Sequence, residues 1–230
     1  MKTVGLIGGI GPESTIEYYR LIISSYLAQE KNGNYPQIII NSINMKRMLD
    51  LIGETKLDEV TDYLVGEIER VAKAGADFAL LASNTPHIVF NNIKKVSPLP
   101  LISIVEATCE KIVSIGLQKL GLFGTKFTMQ SGFYNEVFME HDISVVTPEN
   151  NGQDYIHDKY MGELVKGIIR DETKKELLKI AHALKEDKGI EGLILGGTEL
   201  PLILKETDDI GIPLLDTTKI HVESILKKLL

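Results

Sequence analysis

Gly75-Ala-Asp-Phe-Ala-Leu-Leu-Ala-Ser-Asn-Thr85 is a short apolar run that ends in a turn of small polar residues. Such a run, without sustained alternation of polarity, is typical of a parallel β-strand that is buried on both faces. The same pattern returns 114 residues later as Gly189-Ile-Glu-Gly-Leu-Ile-Leu-Gly-Gly-Thr-Glu199. The sequence therefore predicts two related strand–turn segments.

Two more pairs of segments repeat in the same order. Gly5-Leu-Ile-Gly-Gly9 corresponds to Gly121-Leu-Phe-Gly-Thr125, and Pro100-Leu-Ile102 corresponds to Pro213-Leu-Leu215. Buried parallel strands resemble one another, so a single pair would carry little weight. Three pairs in order, at a nearly constant offset, favour an internal duplication.

The rest of the chain alternates between predicted strands and helices. One helix is expected from Ser14, which forms a capping box with Glu17, and another from about Lys126 to Glu140. Alternating strands and helices imply right-handed crossovers and a doubly wound sheet. We therefore predict an α/β fold with two duplicated, pseudo-symmetric, doubly wound parallel-sheet domains. The expected half-domains are residues 1–100 plus 213–230, and residues 101–212.

Composition and charge narrow the class of protein. The net charge is −7 and the pI is about 5.3, whereas a nucleic-acid partner needs a basic surface. The single cysteine, Cys109, excludes an internal disulfide and a thiolate metal cluster. No apolar run approaches the roughly 18 residues of a membrane helix, and Met1-Lys2-Thr3 leads into a predicted strand rather than a signal peptide. We expect a cytoplasmic protein that binds no metal, nucleic acid or membrane.

Polar turns follow the predicted strands, and in open parallel sheets ligands bind beyond the carboxyl ends of the strands. If the two halves face each other, their turns converge on one cleft. Backbone N–H groups at helix starts, together with Ser, Thr and Asn side chains, are suited to bind a carboxylate. The candidate turn residues are Gly8, Gly9, Ser83, Asn84, Thr85, Thr125, Gly197, Thr198 and Glu199.

Two of these turns also have a plain structural interpretation. Gly8-Gly-Ile-Gly-Pro-Glu-Ser14 resembles a dinucleotide loop, but Ser14 occupies the third glycine position, so nicotinamide binding is disfavoured. The segment is then a tight turn before a helix, with or without amides that face a ligand. After the third predicted strand, Ser83, Asn84 and Thr85 exceed what helix capping needs, which favours a ligand-binding role for Asn84 and Thr85.

Each charged or ionisable residue near the turns has two possible roles. Glu199 either balances the positive end of a helix dipole or acts as an acid–base group. His87 is either a helix-start residue or a base. Lys46, Arg47 and Lys166 are solvated surface residues by default, but a ligand with a second carboxylate needs one of these cations.

Five motifs carry a family resemblance. They are Gly8-Gly-Ile-Gly-Pro-Glu-Ser-Thr15, Ser83-Asn-Thr-Pro-His87, Gly124-Thr-Lys-Phe-Thr128, the segment 163–170 and Gly196-Gly-Thr-Glu199. In this order, and over nearly the full length, they resemble the aspartate/glutamate racemase family. The resemblance implies a cofactor-independent amino-acid isomerase, commonly a homodimer, in which two similar α/β domains enclose a small acidic amino acid or dicarboxylate. The implied α-carboxylate ligands are Asn84, Thr85, Thr125 and Thr198, and the implied cations for the second carboxylate are Lys166, Lys46 and Arg47.

The resemblance also implies two cysteines that flank the α-carbon, one removing the α-proton and the other returning a proton on the opposite face. Their positions hold Ser83 and Gly197 in this chain. A serine hydroxyl is far less acidic than a thiol and needs a neighbouring base, and glycine has no side chain. Three functions stay open: a one-sided isomerase or lyase in which Glu199 or His87 assists Ser83, a weak racemase that uses Glu199 or a bound water, and a carboxylate-binding protein without turnover.

Overall fold

The computed structural model describes residues 2–230, which divide into two compact units. The first unit contains the described residues up to Ile104 together with His221–Leu230, and the second unit is Val105–Ile220. The strand Leu214–Asp216 pairs with Gly192–Gly196 and so lies in the second unit. The sequence predicts a boundary at residue 213, which would assign this strand to the first half, and the structure differs from that prediction.

The first unit is built on a four-stranded parallel sheet. Its elements are β1 (Thr3–Gly8), α1 (Pro12–Gln29), β2 (Gln37–Ser42), α2 (Met45–Gly53), α3 (Leu57–Lys73), β3 (Phe78–Leu81), a 3-10 helix (Thr85–Val89), α4 (Phe90–Val96) and β4 (Leu101–Ile102). The strand order is β2-β1-β3-β4. All four residues of β3 are buried, as its unbroken apolar sequence predicts.

The second unit is built on a sheet of the same kind. The remaining elements are α5 (Ile104–Ile115), β5 (Lys119–Gly124), α6 (Lys126–Gln130), α7 (Phe133–Met139), β6 (Ser144–Val146), α8 (Asn150–Gly162), a 3-10 helix (Leu164–Lys166), α9 (Asp171–Lys188), β7 (Gly192–Gly196), α10 (Leu200–Ile203), β8 (Leu214–Asp216) and α11 (Thr217–Leu229). The strand order is β6-β5-β7-β8. From His221 onward, α11 belongs to the first unit.

The two sheets have equivalent strand orders, with β1 and β5 in corresponding positions and β3 and β7 beside them. The repeated sequence segments therefore fold into corresponding strands, which confirms the predicted α/β class with two duplicated parallel sheets. Among residues 2–230, no helix combines the length and apolarity needed to cross a membrane.

Two local predictions are wrong. The helix α1 begins at Pro12, so Ser14 lies inside its first turn and does not cap it. The helix expected from Lys126 to Glu140 is interrupted, because Gly132 has a φ of 81° and separates α6 from α7. A positive φ is readily adopted by glycine and ends the regular helical path at that residue.

A buried histidine, His221, joins three elements in the core of the first unit. Its Nε2 donates to the carbonyl oxygen of Ile102 (3.0 Å), so its Nδ1 accepts the hydroxyl proton of Tyr18 (2.8 Å). The side chain is fully buried, and burial lowers its pKa to about 4. The folded first unit therefore holds His221 in the neutral form.

We expect the free energy of unfolding to fall as the pH is lowered from about 6.5 to about 4. The unfolded chain takes up a proton at His221 near the ordinary pKa of 6.5, whereas the folded chain resists protonation down to about pH 4. The unfolded state binds more protons in this window, so acid favours unfolding by up to about 3 kcal/mol through His221 alone. Denaturant titrations at pH 7 and pH 4.5 measure the difference.

The matched variants for this prediction are His221→Gln and His141→Gln. A glutamine amide does not titrate, so His221→Gln should have a shallower pH dependence than the wild-type protein. His141 is exposed in the second unit, and His141→Gln should keep the wild-type slope. Equal slopes for His221→Gln and the wild-type protein would refute the assignment to His221.

Candidate active site

In the first unit, the turns after β1 and β3 lie at the same edge of the sheet, because the two strands are parallel neighbours. The start of α1 ties these turns together. The Gly9 N–H donates to Thr15 Oγ1 (2.8 Å), and Ser14 Oγ donates to the carbonyl oxygen of Ala82 (2.7 Å). The Ser14 hydroxyl thus fixes the residue that immediately precedes Ser83.

Gly9 cannot be replaced without strain in this turn. Its φ is 77°, in the left-handed region that L side chains rarely adopt. A Cβ at Gly9 would also lie 2.5 Å from the carbonyl oxygen of Ile43 and 2.7 Å from its nitrogen. The glycine is therefore required by the close approach of the chain after β2, as the tight-turn interpretation predicts.

Ser83, Asn84 and Thr85 follow β3 and are all buried. They lead into the 3-10 helix that begins at Thr85. Because this edge of the sheet also carries Gly9, the first unit brings together four of the residues that the sequence nominates for ligand binding.

His87 is held in the neutral form one turn beyond Ser83. Its Nε2 accepts the backbone N–H of Ile104 (3.3 Å), and its ring stacks on Phe90 with centroids 4.8 Å apart. Burial, with His221 nearby, lowers the pKa of His87 to about 3. Since its Nε2 lone pair is occupied and the ring is a very weak base, His87 positions the chain rather than activating Ser83.

The second unit presents an equivalent edge. β5 and β7 are parallel neighbours, with Gly124 opposite Gly196, so Thr125 and Gly197 follow at adjacent strand ends. Thr125 caps α6, because its Oγ1 accepts the N–H of Thr128 (3.2 Å). Thr125 and residues 197–199 therefore lie on the same edge of the second sheet.

Glu199 belongs to a buried network of oxygen atoms. Thr198 Oγ1 donates to Glu199 Oε2 (2.8 Å), and the hydroxyl of Tyr160 donates to the same oxygen. All three residues are buried. Burial, with the Glu199 carboxylate beside the ring, raises the pKa of Tyr160 well above its usual value. Tyr160 is therefore a protonated hydroxyl at neutral pH.

The ring of Tyr160 fills the space in which a side chain at residue 197 would lie. A Cβ built on Gly197 would be 2.4 Å from Tyr160 Cε2 and 3.0 Å from the Tyr160 hydroxyl oxygen. Tyr160 was not among the residues nominated from the sequence, since α8 was not predicted and the contact joins segments that are distant in the chain. The indication in the sequence was Gly197 itself, which stands where the family resemblance implies an acid–base side chain.

The nominated cations lie on the surface. Lys46 pairs with Asp50 (2.6 Å), and the Arg47 guanidinium lies over the ring of Tyr63, 4.4 Å from its centroid. Lys166 is exposed at the end of its 3-10 helix. Residues 2–230 contain no group of three His, Cys, Asp or Glu side chains arranged to hold a metal ion.

The sequence of this chain is similar to those of known proteins. Residues 7–225 match the model of a family described as Asp/Glu/Hydantoin racemase. The chain is 26% identical over 169 residues to a broad specificity amino-acid racemase of Bacillus subtilis (strain 168), covering 72% of this chain and 69% of that protein.

Solved structures show the same similarity. An aspartate racemase homologue from Pyrococcus horikoshii OT3 is 32% identical, with a TM-score of 0.86 over 100% of this chain and 99% of that one. The aspartate racemase of Picrophilus torridus has a TM-score of 0.78 at 22% identity, over 100% of this chain and 94% of that one. The second likeness concerns the fold alone.

We expect Gly197→Ala to destabilise the second unit. The added methyl group would lie within 2.4 Å of the Tyr160 ring, and overpacking a buried site of this kind costs about 1–3 kcal/mol. Chemical denaturation of the variant and the wild-type protein measures this cost.

Gly162→Ala is the matched control, because a Cβ at Gly162 meets no atom within 4 Å. Its stability should equal or exceed that of the wild-type protein. In a Tyr160→Ala background the cost of Gly197→Ala should shrink, since the ring that obstructs the methyl group is gone. An unchanged cost in that background would show that Tyr160 is not the obstacle.

Proposed function

Because this chain belongs to the Asp/Glu/Hydantoin racemase family, we propose that it is a cofactor-independent amino-acid isomerase that acts on a small acidic amino acid. The observation that carries the proposal is the match over residues 7–225, which includes β2 to β8 and every nominated turn. The B. subtilis relative and the P. horikoshii homologue, described as an amino-acid racemase and an aspartate racemase homologue, support an acidic or broad amino-acid substrate.

Substrate binding is assigned to the strand-end turns. Asn84 and Thr85 in the first unit, and Thr125 and Thr198 in the second, supply hydroxyl and amide groups for the α-carboxylate. A second carboxylate needs a cation, for which Lys166, Lys46 and Arg47 are the candidates. Lys166 and Arg47 are exposed, and Lys46 would have to leave its ion pair with Asp50.

Proton transfer is expected to be unequal on the two faces of the substrate. Glu199 is a carboxylate at the second turn, whereas Ser83 at the first turn cannot use His87 as its base, for the reasons given above. Exchange of the α-proton on one face should therefore be faster than full racemisation, which needs acid–base groups on both faces.

A second candidate function is carboxylate binding without turnover. The observation that favours it is Gly197, which has no side chain at a position where the family resemblance implies an acid–base group. The two candidates agree on the ligand and differ in whether α-protons exchange with solvent. That the protein acts in the cytoplasm, as a homodimer, remains a further prediction.

We expect slow exchange of the α-proton of aspartate or glutamate in deuterated water, faster for one enantiomer than for the other. Proton NMR measures the loss of the α-proton signal for each enantiomer separately, and thermal shift measures binding, since a ligand of the folded state raises the Tm. The variant Glu199→Gln should reduce exchange about 10²-fold or more.

Ser114→Ala provides the control, because Ser114 is an exposed residue of α5. It should exchange at the wild-type rate. Binding of both enantiomers without any exchange would favour the binding protein over the isomerase. Neither binding nor exchange with any small acidic amino acid would exclude both candidates.

A further inference from the structure

Tyr160 places an ionisable hydroxyl beside both Glu199 and Gly197 in the second unit. It lies in α8, and its hydroxyl donates to Glu199 Oε2, the oxygen that also accepts from Thr198 Oγ1. The hydroxyl oxygen is 3.0 Å from the point where a Cβ of residue 197 would be. An ionisable group therefore occupies the space that a side chain at residue 197 would need.

We propose that Tyr160 is a catalytic residue that carries the substrate's α-proton at the turn after β7, with Glu199 as its proton acceptor. The inference rests on the proposed isomerase function and names the group that performs its proton transfer. In this scheme the hydroxyl of Tyr160, which lies in α8, takes the role that a side chain at residue 197 would otherwise have.

The chemistry of a tyrosine hydroxyl suits this task. The hydroxyl donates one hydrogen bond, here to Glu199, and its oxygen has lone pairs that can accept a proton from a substrate. The raised pKa of Tyr160 keeps the hydroxyl protonated at neutral pH, so an isolated tyrosinate is not the base. The base is the hydrogen-bonded pair, in which the carboxylate receives the proton.

The atoms and charges balance if two protons move together, one to Tyr160 and one to Glu199. The α C–H bond of the substrate breaks, and its proton goes to the Tyr160 oxygen while the hydroxyl proton passes to Glu199 Oε2. The electron pair remains on the α-carbon and is delocalised into the substrate's carboxylate. Glu199 becomes a neutral acid and Tyr160 stays neutral, so no net charge is placed on the buried ring. The reverse transfer restores the substrate, and it introduces deuterium once the proton received by the Tyr160 oxygen has exchanged with deuterated water.

The alternative role for Tyr160 is purely structural, as a group that fills the space beside Gly197. That role needs the ring and not the hydroxyl. Tyr160→Phe keeps the ring and removes the proton carrier, so the two roles predict different results for the same variant.

The test measures α-proton exchange into deuterated water for L- and D-aspartate and L- and D-glutamate, each alone, with the wild-type protein and Tyr160→Phe. We expect Tyr160→Phe to lower exchange of the faster enantiomer about 10²-fold or more, with the loss in kcat rather than KM. Tyr155→Phe, on the same helix and outside the Glu199 network, is the matched control and should stay within twofold of the wild-type rate.

A complementary variant covers the case in which Tyr160→Phe fails to fold. Replacing Tyr160 by alanine removes the obstructing ring, and Gly197→Cys in that background places a thiol near the vacated hydroxyl position. We expect Tyr160→Ala alone to lack exchange and the double variant to regain it, with a pH profile that follows the ionisation of a thiol.

The outcomes separate this inference from the proposed function. Wild-type exchange that persists within threefold in folded Tyr160→Phe would overturn the role of Tyr160 and leave the isomerase function standing. A wild-type protein that binds the acids but exchanges no α-proton would overturn both. A double variant that folds and binds but remains inactive would count against the equivalence of residues 160 and 197.

Discussion

The second unit has no room for a side chain at residue 197, because the ring of Tyr160 already fills that space. This packing constraint determines which groups can stand at the carboxyl end of β7. It brings a hydroxyl from α8 into contact with Glu199, and it couples two positions that are far apart in sequence. The hydrogen bond and the steric contact act together, since the same ring that excludes a Cβ also delivers the hydroxyl.

The two halves of the chain share a scaffold and differ in their chemistry. Each has a parallel sheet with an equivalent strand order, and each ends its two inner strands in polar turns at one edge. In the first unit the nearby histidine is neutral, with its Nε2 lone pair occupied by the backbone of Ile104. In the second unit the side chain of Glu199 accepts hydrogen bonds from the hydroxyl groups of Tyr160 and Thr198. The two units thus share the positions of their turns and differ in the side chains that stand beside them.

Most of the fold could be predicted from the sequence, because buried parallel strands are marked by local apolar runs. β3 and β7 coincide with the two repeated segments, and their neighbours follow from the same repeat. The capping role assigned to Ser14 was wrong for a reason that the local sequence does not contain. Its hydroxyl bonds to Ala82, a partner 68 residues away.

The site was only partly predictable for the same reason. Ser83, Gly197 and Glu199 could be nominated because they follow predicted strands, whereas Tyr160 could not, because α8 was not predicted. Its relevance appears only when residue 160 and residues 197–199 are seen in contact. A local pattern identifies the turn, but it does not identify a side chain that enters the turn from another helix.

The contact between Tyr160 and Gly197 also constrains how this site could change. A thiol at residue 197 needs a Cβ, and that Cβ needs the space that the tyrosine ring occupies. Losing the ring first would remove the hydroxyl that donates to Glu199 and would open a void beside its buried side chain, and a buried polar group that loses a partner is destabilising. Either single change is therefore unfavourable in the background of the other residue. Residues 160 and 197 consequently form a coupled pair, so that packing restricts which side chain residue 197 can carry.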